Sequence, residues 1–214
     1  VFMGLLGMLA VIWGSWQAFR SRRLKLLVAY STVAQLGYLF ILFPLYFSSP
    51  ELAKPAMLYF VIAHAFAKSA MFMAVGSIQK IAGFDDIHKL SGISAALPVS
   101  TFTFAIASAS LIGLPPSGGF IAKWLILSSA ISADLWAWIV VILVGGLLSA
   151  AYLFKVLNQF FTTSNSQFVV NSVRGADFRT YAALALALLT IALGLNALWL
   201  FDALNPDVIL RKGI

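Results

Sequence analysis

The stretch AALPVSTFTFAIASASLIGLPPSGGFIAKWLILSSAI, residues 95–131, is apolar and long enough to cross a bilayer, yet a glycine- and proline-rich break interrupts it. Proline removes a backbone donor and clashes with the preceding turn, and glycine loosens the chain. In hydrocarbon, the backbone groups that such a break frees must be satisfied by protein or water. The stretch therefore predicts a discontinuous helix with halves near residues 95–112 and 119–131. The residues that form the predicted break are Gly113, Pro115, Pro116, Gly118 and Gly119.

An ionisable residue, Lys123, follows this break within the same apolar stretch. An ammonium group at the centre of a bilayer is unfavourable by about 3 kcal/mol on insertion scales. A helix that tolerates a break and a charge together indicates an ion path, most simply a path for protons. The alternative is a structural kink or a re-entrant loop from which Lys123 reaches the membrane interface.

The composition predicts an all-α polytopic membrane protein with about six transmembrane helices, the fourth discontinuous. Hydrophobic residues make up 62% of the chain and charged residues 10%, whereas soluble domains carry about a quarter charged residues. No cysteine occurs, which excludes disulfides and cysteine-ligated metal centres within these residues. Apolar segments of about 20 residues or more are read at 1–19, 26–47, 53–79, 95–131, 135–161 and 180–201.

The net charge of +7 is distributed in a way that does not suit nucleic-acid binding. Lysine and arginine fall in the short segments between apolar runs, as is typical of membrane helices. Nine lysines and arginines lie in or beside the first, third and fifth of these connecting segments: Arg20, Arg22, Arg23, Lys25, Lys80, Lys89, Lys155, Arg174 and Arg179. Three lie on the opposite side: Lys54, Arg211 and Lys212. The bias predicts that the nine face the cytoplasm and that both chain ends lie outside.

A second lysine, Lys68, lies deep in the third apolar segment, four residues after His64. Residues spaced by four share one face of a helix. A low-dielectric surrounding disfavours the charged form of an amine, so a buried lysine can change its protonation with small changes around it. Histidine can pass the proton on. The pair therefore predicts a proton relay, and the alternative is a snorkelling lysine beside a histidine that only hydrogen-bonds between helices.

Polar residues in the second apolar segment, residues 26–47, are candidates to support this relay. Ser31 and Gln35 are also spaced by four, and Thr32 is adjacent to Ser31. These side chains can present hydroxyl and amide groups to the lysines or to water, or they can simply hydrogen-bond between helices. Lys25, at the start of the segment, either passes protons between bulk water and the relay or only follows the charge bias. No group of residues has metal-ligand spacing, so no metal site is predicted.

Three stretches, in order, resemble one known family: LKLLVAYSTVAQLGYLF (24–40), HAFAKSAMFMAVGSI (64–78) and GLPPSGGFIAKWLIL (113–127). They are similar to the antiporter-like membrane subunits shared by respiratory complex I, Mrp-type sodium/proton antiporters and membrane-bound hydrogenases. The resemblance implies that Lys123 is the key residue of the broken helix, that Lys68 is the lysine of the central polar axis, and that His64 is its neighbour. It also matches Lys25 to the lysine that opens the preceding helix.

The family has two inverted five-helix repeats, and no stretch of this chain matches the first, which carries a glutamate and another lysine. We therefore expect the C-terminal half of such a subunit, one transmembrane domain over residues 1–214. The second repeat covers about residues 1–161, and a final helix covers residues 180–201.

The resemblance also implies where the chain works and with what. It predicts an integral protein of a bacterial or archaeal inner membrane, surrounded by lipid and by other membrane subunits, that moves H⁺ and also Na⁺ if it serves an antiporter. Flavin, iron–sulfur clusters and quinone are expected only in partner subunits, so the chain is enzymatic only within an assembled NADH:quinone oxidoreductase or hydrogenase.

Two rival functions remain open from the sequence. A self-contained secondary carrier needs a substrate cavity and usually a second repeat within the chain, and no internal repeat is found. A structural spacer subunit would keep its buried lysines without using them. Replacing Lys123 in the assembled complex separates a relay from a spacer.

Overall fold

The computed structural model describes residues 2–162, 177–197 and 199, and within them it contains helices and no β-strand. The helices are α1 (Phe2–Arg20), α2 (Leu24–Ser48), α3 (Pro50–Ala82), α4 (Ile93–Ala96), α5 (Pro98–Ile112), α6 (Gly118–Ser132), α7 (Trp136–Phe161) and α8 (Phe178–Leu195), with a 3-10 turn at Ile87–Lys89. Of the described helices, α1, α2, α3, α7 and α8 are long and apolar enough to cross a membrane. The prediction of an all-α polytopic membrane protein is confirmed.

The fourth predicted span is two helices, as its proline- and glycine-rich centre indicates. The first half, α5, and the second half, α6, have 15 residues each, and residues 113–117 separate them. Each is too short to span a bilayer as a straight helix, since a span takes about 20 residues. The prediction of a discontinuous helix is confirmed, with the first half starting at Pro98 rather than near residue 95.

Some predicted boundaries differ from the observed ones. The apolar runs place Lys25 and Lys80 in loops, but they lie inside α2 and α3, respectively, because both helices extend beyond their apolar stretch. The last span is predicted to reach residue 201, and its helix is described as Phe178–Leu195. Residues 198, 200 and 201 of that prediction, and the basic residues Arg174, Arg211 and Lys212, lie outside the described residues.

The first two helices pack closely because glycines face each other across their interface. A Cβ atom added to Gly37 would lie 2.6 Å from the carbonyl oxygen of Gly7 and 2.7 Å from a methyl group of Val11. Small residues allow such backbone approach between membrane helices, where packing contacts rather than the hydrophobic effect drive association. The close packing of α1 on α2 therefore depends on the absence of a side chain at Gly37.

We expect Gly37→Ala to lower the thermal stability of the protein in detergent. Overpacking of a close interface costs about 1–3 kcal/mol, and here the obstructing atoms include backbone that cannot swing away. Thermal unfolding followed by tryptophan fluorescence measures the loss. Gly76→Ala is the matched control, because nothing lies within 4 Å of a Cβ atom at Gly76. An unchanged melting temperature for Gly37→Ala would show that the interface tolerates separation.

Outside the bundle, many large apolar side chains are exposed, and they lie on helix faces that pack against nothing in the described chain. Examples on different helices are Trp13, Phe47, Trp124 and Leu147. Exposed apolar faces of this extent are expected of helices that meet lipid chains. The polar side chains described below lie on the opposite, inner faces.

Candidate functional site

The amine of Lys123 is bound by the carbonyl groups that the helix break sets free. Its Nζ atom donates to the carbonyl oxygens of Leu111, at 2.8 Å, and Ile112, at 3.1 Å. These are the last two residues of α5, and terminal carbonyls of a helix have no partner within the helix. The amine also lies 4.9 Å from the centre of the Tyr38 ring, within the range of a cation–π interaction. The break thus provides the ligands of the lysine.

Two glycines give the break its geometry. Gly113 ends α5 with φ of 91°, a left-handed conformation that residues with a side chain rarely adopt. Gly119, in the first turn of α6, lies against the end of α5, and a Cβ atom there would collide with the carbonyl oxygen of Ser110. Of the other residues predicted to form the break, Pro115 and Pro116 lie in the connecting turn and Gly118 opens α6. The close approach of α6 to α5 brings Lys123 to the free carbonyls.

Lys68 lies in α3 and is bound by α2. It is only 6% exposed. Its Nζ atom donates to the hydroxyl oxygen of Ser31 at 2.5 Å and to the carbonyl oxygen of Val28 at 3.0 Å. The Ser31 hydroxyl in turn donates to the same Val28 carbonyl at 2.8 Å. Ser31 therefore contacts the Lys68 amine, which is turned into the bundle.

His64 lies beside a small cavity and interacts electrostatically with both lysines. Its ring stacks on Phe60 at a centroid separation of 5.7 Å, and its Nδ1 atom is buried without a hydrogen-bond partner among the described residues. The cavity encloses about 10 Å³, close to the minimum for one water molecule. The side chains that line it include His64, Ser110, Gln35 and Lys123. Because the Ser110 hydroxyl also lacks a partner within the described ranges, the cavity offers polar contacts for a water molecule.

A chain of buried polar groups on α2 and α7 joins the surroundings of the two lysines. The amide nitrogen of Gln35 donates to the Leu111 carbonyl oxygen and to the Ser149 hydroxyl oxygen, both at 3.1 Å. The Tyr152 hydroxyl donates to Ser149 at 3.3 Å and also interacts with the side chains of Gln35 and Ser31. Gln35 therefore touches the carbonyl that binds Lys123, while Tyr152 touches the serine that binds Lys68.

The remaining predicted residues are peripheral to this network. The Thr32 hydroxyl donates back to Val28 of its own helix at 3.1 Å rather than to the site of either lysine. Lys25 is exposed in the first turn of α2, three residues before Val28. One helical turn therefore separates Lys25 along α2 from the carbonyl that binds Lys68.

Sequence reasoning missed three members of the network: Tyr38, Ser149 and Tyr152. All three are buried. Ser149 and Tyr152 are spaced by three in the otherwise apolar α7, and Tyr38 follows Gln35 by three in α2. Polar groups at a shared-face spacing in an apolar helix were therefore the available signal.

Neither Lys68 nor Lys123 has a carboxylate partner in the part of the chain that the structure describes. The ion pair found there, Arg23 with Asp85 at 3.0 Å, joins two loops at the end of the bundle. Within the described helices the acidic residue is Glu51, in the first turn of α3. Both amines are therefore bound by neutral oxygen atoms alone, which stabilise the charged form of a buried amine less than an ion pair does.

Comparison with known proteins gives consistent results. Residues 1–149 match the NADH:quinone oxidoreductase/Mrp antiporter transmembrane family. The chain is 32% identical over 155 residues to NADH-quinone oxidoreductase subunit N of Desulforudis audaxviator, an alignment that covers 72% of this chain and 30% of that protein. It is 37% identical over 136 residues to one subunit of the Na⁺/H⁺ antiporter of Bacillus subtilis, an alignment that covers 59% of this chain and 17% of that protein.

Solved structures show the same fold. A chain of the Mrp complex from Dietzia sp. superimposes with a TM-score of 0.84 at 21% identity, covering 95% of this chain and 45% of that one. A chain of respiratory complex I from Thermus thermophilus superimposes with a TM-score of 0.70 at 26% identity, with the same coverage. The chain thus spans less than half the length of these relatives.

Proposed function

This chain belongs to the NADH:quinone oxidoreductase/Mrp antiporter transmembrane family, and we propose that it is a proton-translocating membrane subunit of a redox-driven pump or a multisubunit cation/proton antiporter. The observation that carries the proposal is the pair of amines within the bundle, Lys68 and Lys123, whose hydrogen bonds go only to neutral oxygens. His64 interacts electrostatically with both amines and lies beside a cavity of the size of one water molecule. Intramembrane charges of this kind mark ion paths by default.

The proposed chemistry is proton transfer along Lys68, His64 and Lys123. Each amine can hold or give up one proton, and a change in the surrounding charge shifts the balance between these two forms. His64 accepts a proton from one side and gives it to the other, since its ring has two nitrogen atoms. Water in the cavity completes the contact between His64 and Lys123. Lys25, one turn from the Lys68 site, exchanges protons with bulk water at the predicted cytoplasmic end.

The proposal includes the setting of the chain. We propose that residues 1–161 form one five-helix repeat, that the protein lies in a bacterial or archaeal inner membrane with both ends of this chain outside, and that it assembles with other membrane subunits. The charge bias supports the orientation. Redox cofactors belong to partner subunits, and coupling to Na⁺ distinguishes an antiporter from a redox pump.

Replacing Lys68 with methionine is expected to reduce proton translocation by the assembled complex at least tenfold. Methionine fills a similar volume but cannot carry a proton, and a positioned proton-transfer group typically contributes 10²- to 10⁴-fold to a rate. Acidification of proteoliposomes, followed with a pH-sensitive dye, measures the effect. Lys80→Met is the matched control, because Lys80 is an exposed lysine on the same helix. Normal translocation by an assembled Lys68→Met complex favours a structural spacer instead.

A further inference from the structure

Gln35 makes a contact that the proposed relay does not use, at the carbonyl that binds Lys123. The Leu111 carbonyl oxygen accepts from the Lys123 amine at 2.8 Å and from the Gln35 amide at 3.1 Å. A carbonyl oxygen has two lone pairs, so both of its positions are taken. Gln35 is 1% exposed, so this shared contact lies inside the bundle. The binding of Lys123 is therefore shared with a residue of another helix, α2.

The hydrogen bonds around Gln35 allow only one orientation of its amide. Leu111 offers a carbonyl oxygen, which can only accept. The Ser149 hydroxyl donates its proton to the Gly145 carbonyl at 2.8 Å and must therefore accept from Gln35 at 3.1 Å. Each proton of the amide nitrogen therefore donates to one of these two acceptors. In the opposite orientation, the amide oxygen of Gln35 would face the acceptor oxygen atoms of Leu111 and Ser149. The donor to Leu111 is a fixed feature of the site.

This arrangement matters when the Lys123 amine turns towards the cavity that it shares with His64. Its own departure would leave the Leu111 and Ile112 carbonyls without the lysine, and a buried carbonyl without any donor is strongly disfavoured. At Leu111 the Gln35 amide remains in place. The Leu111 carbonyl therefore keeps a hydrogen bond after the lysine has left. The departure of the lysine then costs less than it would if both carbonyls lost their only donor.

We propose that Gln35 is a positioning residue that permits the Lys123 amine to leave the helix break by keeping the Leu111 carbonyl hydrogen-bonded. The proposal rests on the proposed function, in which Lys123 exchanges protons with the cavity. Without the Gln35 donor, the lysine is the only hydrogen-bond donor to the Leu111 carbonyl oxygen. The amine then spends less time away from the break.

The test measures exchange of the Lys123 amine protons directly. The complete protein in its assembled complex is labelled with ¹⁵N-lysine, and the Nζ signal of Lys123 is assigned by its absence in Lys123→Met. Gln35→Met, of similar length but with no donor, is expected to slow hydrogen–deuterium exchange at this signal at least threefold. Gln35→Asn is expected to act in the same direction, because its shorter side chain keeps the amide but withdraws it from Leu111.

Ser149→Ala is the matched control. It removes the second acceptor of Gln35 and the Tyr152 contact, but it leaves the bond from Gln35 to Leu111, so exchange at Lys123 is expected to change less than twofold. Unchanged exchange in an assembled Gln35→Met or Gln35→Asn complex overturns the proposal. Equal slowing in Ser149→Ala also overturns it, since general loosening of the site would then explain the result.

The same experiment separates this inference from the function on which it rests. If Lys123→Met leaves proton translocation intact, the relay is wrong, whereas the exchange rates still report how Gln35 holds the amine. If translocation requires Lys123 but exchange at the Lys123 amine is unchanged in the Gln35 variants, the relay stands and the positioning role of Gln35 is wrong.

Discussion

Replacing Lys123 with methionine is expected to abolish proton translocation by the assembled complex, to within the background leak of the vesicles. The amine is the only ionisable group at the helix break in the described part of the chain, and its ligands are main-chain carbonyls that cannot carry a proton in its place. A positioned proton-transfer group typically contributes 10²- to 10⁴-fold. Proteoliposome acidification at saturating driving force measures the loss, and subunit composition on a native gel verifies assembly.

Lys155→Met is the control that matches Lys123→Met in local structure. The Lys155 amine also binds two main-chain carbonyls near a helix end, those of Phe19 at 2.8 Å and Ser21 at 3.3 Å. This amine lies at the end of α1, away from His64 and the cavity, so its replacement is expected to leave translocation within about twofold of normal. An equal loss of translocation in both variants would show that lysines bound to main-chain carbonyls at helix ends are needed for structure rather than for proton transfer.

Replacing Gly119 with alanine is expected to destabilise the protein and to displace Lys123. A Cβ atom at Gly119 would overlap the Ser110 carbonyl oxygen, so α6 must move away from α5. Overpacking of this kind costs about 1–3 kcal/mol, which lowers the melting temperature of a chain of this size by roughly 2–12 °C. Because the Lys123 amine binds the end of α5, translocation is expected to fall in the same variant.

Gly146→Ala tests whether the effect is specific to the break. Gly146 lies in α7, and nothing lies within 4 Å of a Cβ atom added there. Alanine favours a helix over glycine by about 1 kcal/mol in exposed positions, so stability is expected to stay the same or rise slightly. If Gly119→Ala melts at the same temperature as Gly146→Ala, the close approach of α6 to α5 is not required.

Much of the candidate site is predictable because the bilayer restricts what a chain can do. A lysine in an apolar run needs a reason, so Lys68 and Lys123 stand out without any structural information. His64 is a candidate because it lies four residues before Lys68 in α3. Ser31 and Gln35 are candidates because the same spacing separates them in α2. The break follows from prolines and glycines that cannot continue a helix.

Helical spacing does not distinguish neighbours on one helix when their partner lies on another. Ser31 and Thr32 are adjacent, and both hydroxyls bond the Val28 carbonyl, yet only Ser31 reaches Lys68. The sequence offers no reason to prefer one of them, because the choice depends on the rotation of α2 against α3. The same holds for Tyr152, whose role appears only once α7 packs beside α2.

The sequence by itself determined the helices, the position of the break, and the presence of two charges within the bundle, since chain length, apolar runs and helix-breaking residues act locally. Only the tertiary structure decided what binds each amine. The ligands of Lys123 are carbonyls freed by the break, and one of them is shared with Gln35 of another helix. Main-chain carbonyls are the same in every residue, so their availability depends on where helices end and which helix packs against that end.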